Sequence, residues 1–395
     1  MSVFRVAVVV SHPIQHFCPQ YASFAENKDV NLKVFFASML GFKKYLDPNF
    51  KKEISWGNLN LEKFQHEFLN GEEVIQADKN IDAPSLDNAL AEFKPDFIIV
   101  YGYFQKLQRR AYAWANKHKV PMGYISDSEL RQKRSLWKEM LKAPYVRWYF
   151  SNINYFLSVG DANEAFYKKY CVPDRKIIRM HFPIDLKYYE QSYPNRQQLG
   201  AAIRAKYNIG ADEIVLSIVG KLVSWKNQDH VIDAMQVLEK RGIYANLLLI
   251  GSGEMQDAWQ EKAARLTKSK VHFTGFINIE ELPAYYSASD MYMHPSSVEP
   301  HSIAVSEAVY MGCPVIISDR CGSYGPDDDV QENKNGWVYP FGNIEVMADK
   351  IEHLIKDAAI RNAFSSYSHE SGVRFQEKSH HLILEKLKEK VTVNK

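Results

Sequence analysis

Two glutamates, Glu299 and Glu307, flank the start of an expected helix in the stretch Asp290–Cys313, DMYMHPSSVEPHSIAVSEAVYMGC. An apolar strand, Met291–His294, runs into a loop; Ser302 has the chemistry of a helix N-cap and Gly312 that of a C-terminal stop. The unpaired amides of His301, Ser302 and Ile303 at such a helix start favour an anion, a phosphate above all. A carboxylate on each side of that cradle can accept hydrogen bonds from hydroxyl groups at the two ends of a diphosphate. A nucleotide sugar has that layout, with sugar hydroxyls at one end and ribose hydroxyls at the other. Taken alone, two glutamates at this spacing arise readily by chance, and a loop glutamate near a helix salt-bridge glutamate is the plainer reading.

Two cations strengthen the chemical reading. An apolar strand, Glu213–Val219, ends in Gly220 and Lys221, and Lys226 follows five residues later. Gly220 permits a tight turn, and ammonium groups at a strand's carboxyl end can neutralise a departing diphosphate. Two solvated loop lysines is the plain alternative for either alone. A third piece, Leu249-Ile-Gly251-Ser-Gly253-Glu254, is a strand that ends in glycines ahead of a helix, short of the full dinucleotide fingerprint.

These groups need elements to position them, and the chain supplies an alternation of strands and helices. Phe4–Val10, Asn31–Phe36, Pro95–Val100, Pro121–Ile125 and Tyr155–Val159 read as strands, with helical patterns at 14–26, 85–93 and 104–117 between them. After a polar connector at 190–195, strands are expected at 213–219, 246–250, 271–274, 291–294 and 315–318, again with helices between. The pattern predicts an α/β protein with two Rossmann-like parallel-sheet domains, residues 1–185 and 186–365, followed by a helical tail over 366–395. Ligands of such sheets bind beyond the strands' carboxyl ends, and with two domains in series the cleft between them is the expected site.

The order G-K-x4-K, IGSGE, VHFTGFI, HPSSVEPHSIAVSEAVYMGCPVI and NGWVYP resembles the donor-binding half of retaining glycosyltransferases of family 4, which have the GT-B fold. The resemblance is strong over about residues 213–358; the first half resembles the acceptor domain through its strand pattern and through His181–Asp185 (HFPID). It implies C-terminal helices that cross back to the first domain. It also implies that Glu299 holds the donor sugar hydroxyls and Glu307 the ribose, with Lys221 and Lys226 on the diphosphate. Where the family carries arginine, Lys221 keeps the charge but loses the bidentate fork. Its E-G-F-G segment reads Glu299-Pro-His301-Ser302 here, without either glycine. Ile277, after Gly275 and Phe276, falls where the family's backbone meets the base. The implied reaction uses no carboxylate nucleophile: the acceptor hydroxyl attacks the face that the leaving phosphate occupies. The enzyme then positions reactants and stabilises charge.

In the first domain, His12 and His16 follow the first strand and can face the cleft or pack in the loop. Asp127 follows the strand at 121–125 and stands where the family presents a polar residue to the donor sugar. Tyr101 and Tyr103 close another strand and face either the acceptor side or the core.

With 49 Lys/Arg and 47 Asp/Glu the net charge is +2, which excludes an electrostatic nucleic-acid binder. Four cysteines without a paired spacing imply neither a zinc site nor a disulfide framework, and the expected redox state is that of cytoplasmic thiols. No run of ~20 apolar residues spans a bilayer. Asp327, Asp328 and Asp329 lie in a turn-rich stretch and read as solvated, so metal-independent chemistry is expected, without a cofactor. Arg131–Phe150 mixes basic residues from Arg131 to Arg147 with Trp137, Tyr145, Trp148, Tyr149 and Phe150, divided by Pro144. It suits either an anionic membrane surface at the inner face or a solvated, partly core-packed segment. The sequence is thus read as a hexose-type glycosyltransferase in surface polysaccharide or glycolipid synthesis, acting from a nucleotide-sugar donor on a glycan or glycolipid acceptor. A sugar-nucleotide epimerase and a non-catalytic sugar-nucleotide-binding relative are the alternatives.

Overall fold

A computed structural model describes residues 3–47, 52–54, 56–57, 59–132 and 135–393. Two parallel sheets dominate. The first uses β1 (Phe4–Val10), β2 (Val30–Phe36), β5 (Gln65–Phe68), β6 (Phe97–Tyr101), β7 (Met122–Ser126), β8 (Tyr155–Ser158) and β9 (Ile177–Arg179), in the order β5-β2-β1-β6-β7-β8-β9. A small antiparallel pair, β3 (Tyr45–Asp47) and β4 (Lys52–Ile54), stands apart from it. The second sheet comprises β10 (Val215–Val219), β11 (Asn246–Ile250), β12 (Lys270–Gly275), β13 (Met291–His294), β14 (Val315–Ser318) and β15 (Gly336–Tyr339), in the order β12-β11-β10-β13-β14-β15.

Each sheet is covered on both faces, which is why its central strands are continuous apolar runs rather than alternating ones. Val6, Val8 and Val10 enter one core of the first sheet, and Ala7 and Val9 the other. In β10, Val215 enters one core of the second sheet, while Leu216 and Ile218 enter the other.

The chain crosses between the two units twice. The first crossing is the segment after β9. The second is a helical run from Ala358 to Val393, interrupted by a widened turn at Lys378–Leu382. Its last part returns to the first unit, where Ile383, Leu384, Leu387 and Val391 join the core beside β1. A widened turn leaves carbonyls without their usual helical donors; here the Ser379 carbonyl accepts from Gln20 Nε2 at 2.8 Å. The two crossings are fastened side by side. Gln376 accepts from the Ile184 amide at 3.0 Å and donates to the Phe182 carbonyl at 2.9 Å, and His380 Nε2 lies 3.0 Å from the Ile184 carbonyl.

Pro144 does not divide Arg131–Phe150 as its sequence implied: a helix runs through it from Leu136 to Ser151. Proline removes the amide that would serve the carbonyl four residues back. That carbonyl belongs to Met140, on the solvent side, so water can take its bond, while Val146, Tyr149 and Phe150 anchor the other face in the core. Lys133 and Arg134 lie outside the described residues. Among the described residues, no helix is long and apolar enough to cross a membrane.

Candidate active site in the cleft

Strand order reverses at β10 in the second sheet, between β11 and β13. The loops leaving β10 and β13 therefore diverge and leave a crevice. Gly220, Lys221 and Lys226 follow β10; Glu299, His301 and Ser302 follow β13. Backbone approach explains the nearby glycines. The Gly251 amide donates to the Gly275 carbonyl at 2.9 Å, and Gly220 to Ile250 at 2.9 Å. Gly251 sits at φ +139°, where a Cβ would lie 2.0 Å from the Gly220 carbonyl oxygen; a Cβ on Gly253 would lie 2.3 Å from that of Leu222. These two glycines let the strand-end loops pass one another.

In the crevice the Lys226 ammonium is ion-paired with the Glu299 carboxylate. His294 Nε2 stands 3.3 Å from the same oxygen and the Ser296 hydroxyl 3.4 Å. Burial alone would raise the Glu299 carboxyl, but the His294 hydrogen bond and the Lys226 charge outweigh it and hold the group at about 2. Burial lowers His294 itself. Lys221 precedes this pair, and its carbonyl accepts from Gln228 Nε2 at 2.9 Å.

The helix after β13 starts where its capping chemistry predicts, at Ile303, with Ser302 extended. Its amides are not all open to a ligand, however: the Ser302 amide donates to Ser323 Oγ at 2.8 Å. His301 is turned into the protein. Its ring stacks on Phe182 with centroids 5.1 Å apart, and Nε2 lies 3.3 Å from Asp328 and 3.6 Å from Asp329. Burial lowers His301, yet Asp328, followed by Asp329, overrides it, so the ring is raised toward its charged form. The expectation of three solvated aspartates is thus corrected. Asp327 is exposed, but Asp328 and Asp329 are buried because a histidine, a backbone amide and a hydroxyl satisfy them. Asp328 accepts from the Asp161 amide at 2.7 Å and Asp329 from Ser306 Oγ at 2.7 Å. The three side chains of His301, Asp328 and Asp329 come close enough to share a cation; here they satisfy one another as an ion-paired cluster.

Glu307 lies within the helix at 3% exposure and accepts from the Tyr286 hydroxyl at 2.8 Å. Burial pushes its carboxyl up to about 7, which the Tyr286 and Tyr189 hydroxyls only partly offset. A ligand hydroxyl must compete with Tyr286 to reach it. Ile303 is half-buried and packs on cores of both units, and Ile277 is half-buried beside the exposed Phe276.

The first unit faces this crevice with the carboxyl ends of its own strands. Asp127 follows β7. It is reachable by solvent, yet it is surrounded closely enough that burial raises its carboxyl, and it feels the charges of His301 and Glu299. His12 and His16 follow β1, and burial lowers them to about 4 and about 3. His12 shares a 2.8 Å hydrogen bond with Ser11, and its ring lies 5.4 Å from that of Trp56. The His16 ring lies 5.0 Å from Phe182, which continues to His301 as a stack between the units. Tyr101 accepts from the Tyr21 hydroxyl at 2.8 Å.

Sequence reasoning missed several residues. His294 closed an expected strand, and its partner Glu299 five residues later was the available clue. Arg131 opens the basic stretch that suits either a membrane surface or a solvated, partly core-packed segment. Its guanidinium instead donates to the carbonyls of Cys321 at 2.6 Å and Tyr324 at 2.7 Å in the other unit. Arg179 had drawn no attention. It binds Glu164 at 2.8 Å and Asp161 at 2.5 Å, and donates to the Asp327 carbonyl across the units.

Two facing Rossmann-like units, a crevice at the strand reversal and a helical return to the first unit together define the architecture. The fold is GT-B. Solved structures share it over nearly the whole chain. A glycosyltransferase from Rickettsia africae has TM-score 0.71 with 14% identity and full coverage of both chains. HepE of Anabaena, solved in complex with UDP, has TM-score 0.68 with 17% identity over 98% of this chain and 100% of that one. Residues 201–371 match the model of glycosyl transferases group 1. An uncharacterized glycosyltransferase of Methanocaldococcus jannaschii is 32% identical over 161 residues, 40% of each chain. A GDP-mannose-dependent alpha-(1-6)-phosphatidylinositol monomannoside mannosyltransferase of Mycobacterium tuberculosis is 29% identical over 165 residues, 40% of this chain and 42% of that one. The match thus spans about two fifths of the length of these relatives.

Proposed function

We propose that this GT-B chain is a retaining glycosyltransferase of family 4, moving a hexose-type sugar from a nucleoside diphosphate to a hydroxyl of a surface glycan or glycolipid. The observation that carries the reading is the Lys226–Glu299 ion pair at the strand reversal, facing Asp127 across the cleft. A cation that a diphosphate can claim lies beside a carboxylate that then becomes available to sugar hydroxyls. The UDP named with HepE and the GDP-mannose named with the mycobacterial relative support a nucleotide-sugar donor.

In this reading Lys221 and Lys226 take the diphosphate together with the Ile303 amide, Glu299 orients the sugar, and Glu307 receives the ribose. Asp127 contacts the donor sugar from the first unit. The acceptor oxygen forms the new bond to the anomeric carbon as the bond to the diphosphate oxygen breaks. The acceptor's proton passes to that departing oxygen, on the same face, so configuration is retained. The Lys226 charge stabilises the leaving group without a metal.

The test is release of nucleoside diphosphate from a panel of donors, with and without hydroxyl acceptors, and NMR of the product's anomeric proton. Acceptor-dependent release with retained configuration is expected. Release without transfer, epimerised donor, or inverted product refutes the proposal.

A further inference from the structure

The helix Leu136–Ser151 carries apolar side chains on both faces, an arrangement that belongs inside a protein or inside a lipid boundary. One face is accounted for: Val146, Tyr149 and Phe150 fill the core beneath β7. The other is not. Trp137, Met140, Leu141, Tyr145 and Trp148 recur at helical spacing, so they share one stripe. They are between 40% and 75% exposed, and Pro144 lies among them, exposed as well.

The charges around this stripe are of one sign. Lys138 and Arg147 are exposed and Lys142 is half-buried. The Lys142 ammonium lies 5.4 Å from the Tyr103 ring and that of Lys138 5.5 Å from Trp137, as cations do when they lie along aromatic surface. The acid within the helix, Glu139, is held away by Lys169 at 2.8 Å and by the Tyr170 hydroxyl at 3.0 Å. The neighbouring helix Lys106–His118, whose Tyr112 stacks on Tyr149 at 4.2 Å, adds the exposed Arg109 and Lys117. Tryptophan and tyrosine flanked by lysine and arginine match the headgroup region of an anionic bilayer: rings at the acyl boundary, cations at the phosphates.

We propose that the outward stripe of Leu136–Ser151 is a membrane-docking surface for anionic lipid, with Trp137, Met140, Leu141 and Trp148 inserting and Lys138, Lys142 and Arg147 binding headgroups. The inference rests on this helix and not on the donor reading. The helix is joined to the cleft wall: Tyr103, at the carboxyl end of β6, packs against Tyr145 and Phe150 at 6.2 and 6.3 Å. Docking through this face therefore sets the first unit's side of the cleft close to the lipid surface.

The test is co-sedimentation of the whole chain with vesicles of phosphatidylcholine alone and of phosphatidylcholine mixed with phosphatidylglycerol. Intrinsic tryptophan emission and quenching by brominated acyl chains are read in parallel. Binding to the mixed vesicles with a blue shift and quenching is expected. The pair Trp137→Glu with Leu141→Glu should abolish it. Reversing Lys138, Lys142 and Arg147 to glutamate should weaken partition by more than ~10²-fold, because loss of the three cations alone accounts for about that much and the added negative charges repel the surface further. None of the five is among the residues assigned to the donor and all are exposed or half-buried, so urea midpoints of the same variants close to that of the wild type report that they fold. Three results overturn the proposal: no vesicle binding by the wild type, binding insensitive to Trp137→Glu with Leu141→Glu, or a concentration-dependent dimer that those substitutions dissolve.

Discussion

Replacing Lys226 with methionine separates the pairing of Glu299 from its burial. Glu299 stands at about 2 in the folded chain against 4.5 for an ordinary glutamate. A depressed carboxyl contributes stability that is present above the unfolded value and lost as pH falls through the folded one. A gap of about 2.5 units corresponds to about 3 kcal/mol at pH 7, lost between pH ~4.5 and ~2. His294 supplies part of that and stays in the variant, so Lys226→Met should lower stability by about 1–2 kcal/mol at pH 7. The same variant should flatten the fall in stability between pH 5 and 3, because the Glu299 carboxyl moves up toward its ordinary range. Urea unfolding at a series of pH values, with Glu299→Gln and the double variant completing a cycle, measures this directly. The coupling should be about 1–3 kcal/mol, and transfer in Lys226→Met should fall by ~10²–10³. A variant with the wild-type pH slope, no coupling to Glu299→Gln and undiminished transfer would refute the reasoning at its root.

Glu307 behaves oppositely. Raised to about 7, it lowers stability as pH rises from ~4.5 to ~7, so Glu307→Gln should be more stable than the wild type at pH 8, by up to about 3 kcal/mol. Its affinity for a nucleoside diphosphate in titration calorimetry should nonetheless fall if the carboxylate receives the ribose. Arg179→Ala leaves Asp161 and Glu164 without their partner, and equilibrium unfolding should show a loss of about 3–5 kcal/mol. Gly251→Ala drives a methyl group into the Gly220 carbonyl and should destabilise by at least ~1–3 kcal/mol, read as a lowered urea midpoint. Lys221→Ala should reduce kcat by ~10²–10³ in the donor assay.

What the sequence revealed followed local rules. The run of valines in β1 and the leucines of β11 announce buried parallel strands, and Ser302 and Gly312 bracket a helix, because those features depend on near neighbours. β5 escaped notice because its residues, Gln65 to Phe68, are mostly polar and are held as a strand by pairing with β2. Pro144 misled because its effect depends on whether water reaches the carbonyl it orphans. Asp328 and Asp329 read as solvated because His301 and the Asp161 amide, which make their burial tolerable, lie 27 and 167 residues from Asp328. The Lys226–Glu299 pair joins residues 73 positions apart. Each was flagged by motif, but their contact and the His294 that completes it exist only once β10 and β13 lie side by side.

The fastening of Gln376 and His380 to Phe182 and Ile184 limits how this molecule can breathe. Two covalent tethers that run apart would resist any rotation, and a single tether would permit twisting about itself. Here both run along one seam, so relative movement reduces to a swing about that line, like a book about its spine. Arg179, two residues before His181, meets Asp327 beside Lys378 at the spine itself, while the Arg131 contacts to Cys321 and Tyr324 are further links that a swing must strain or release.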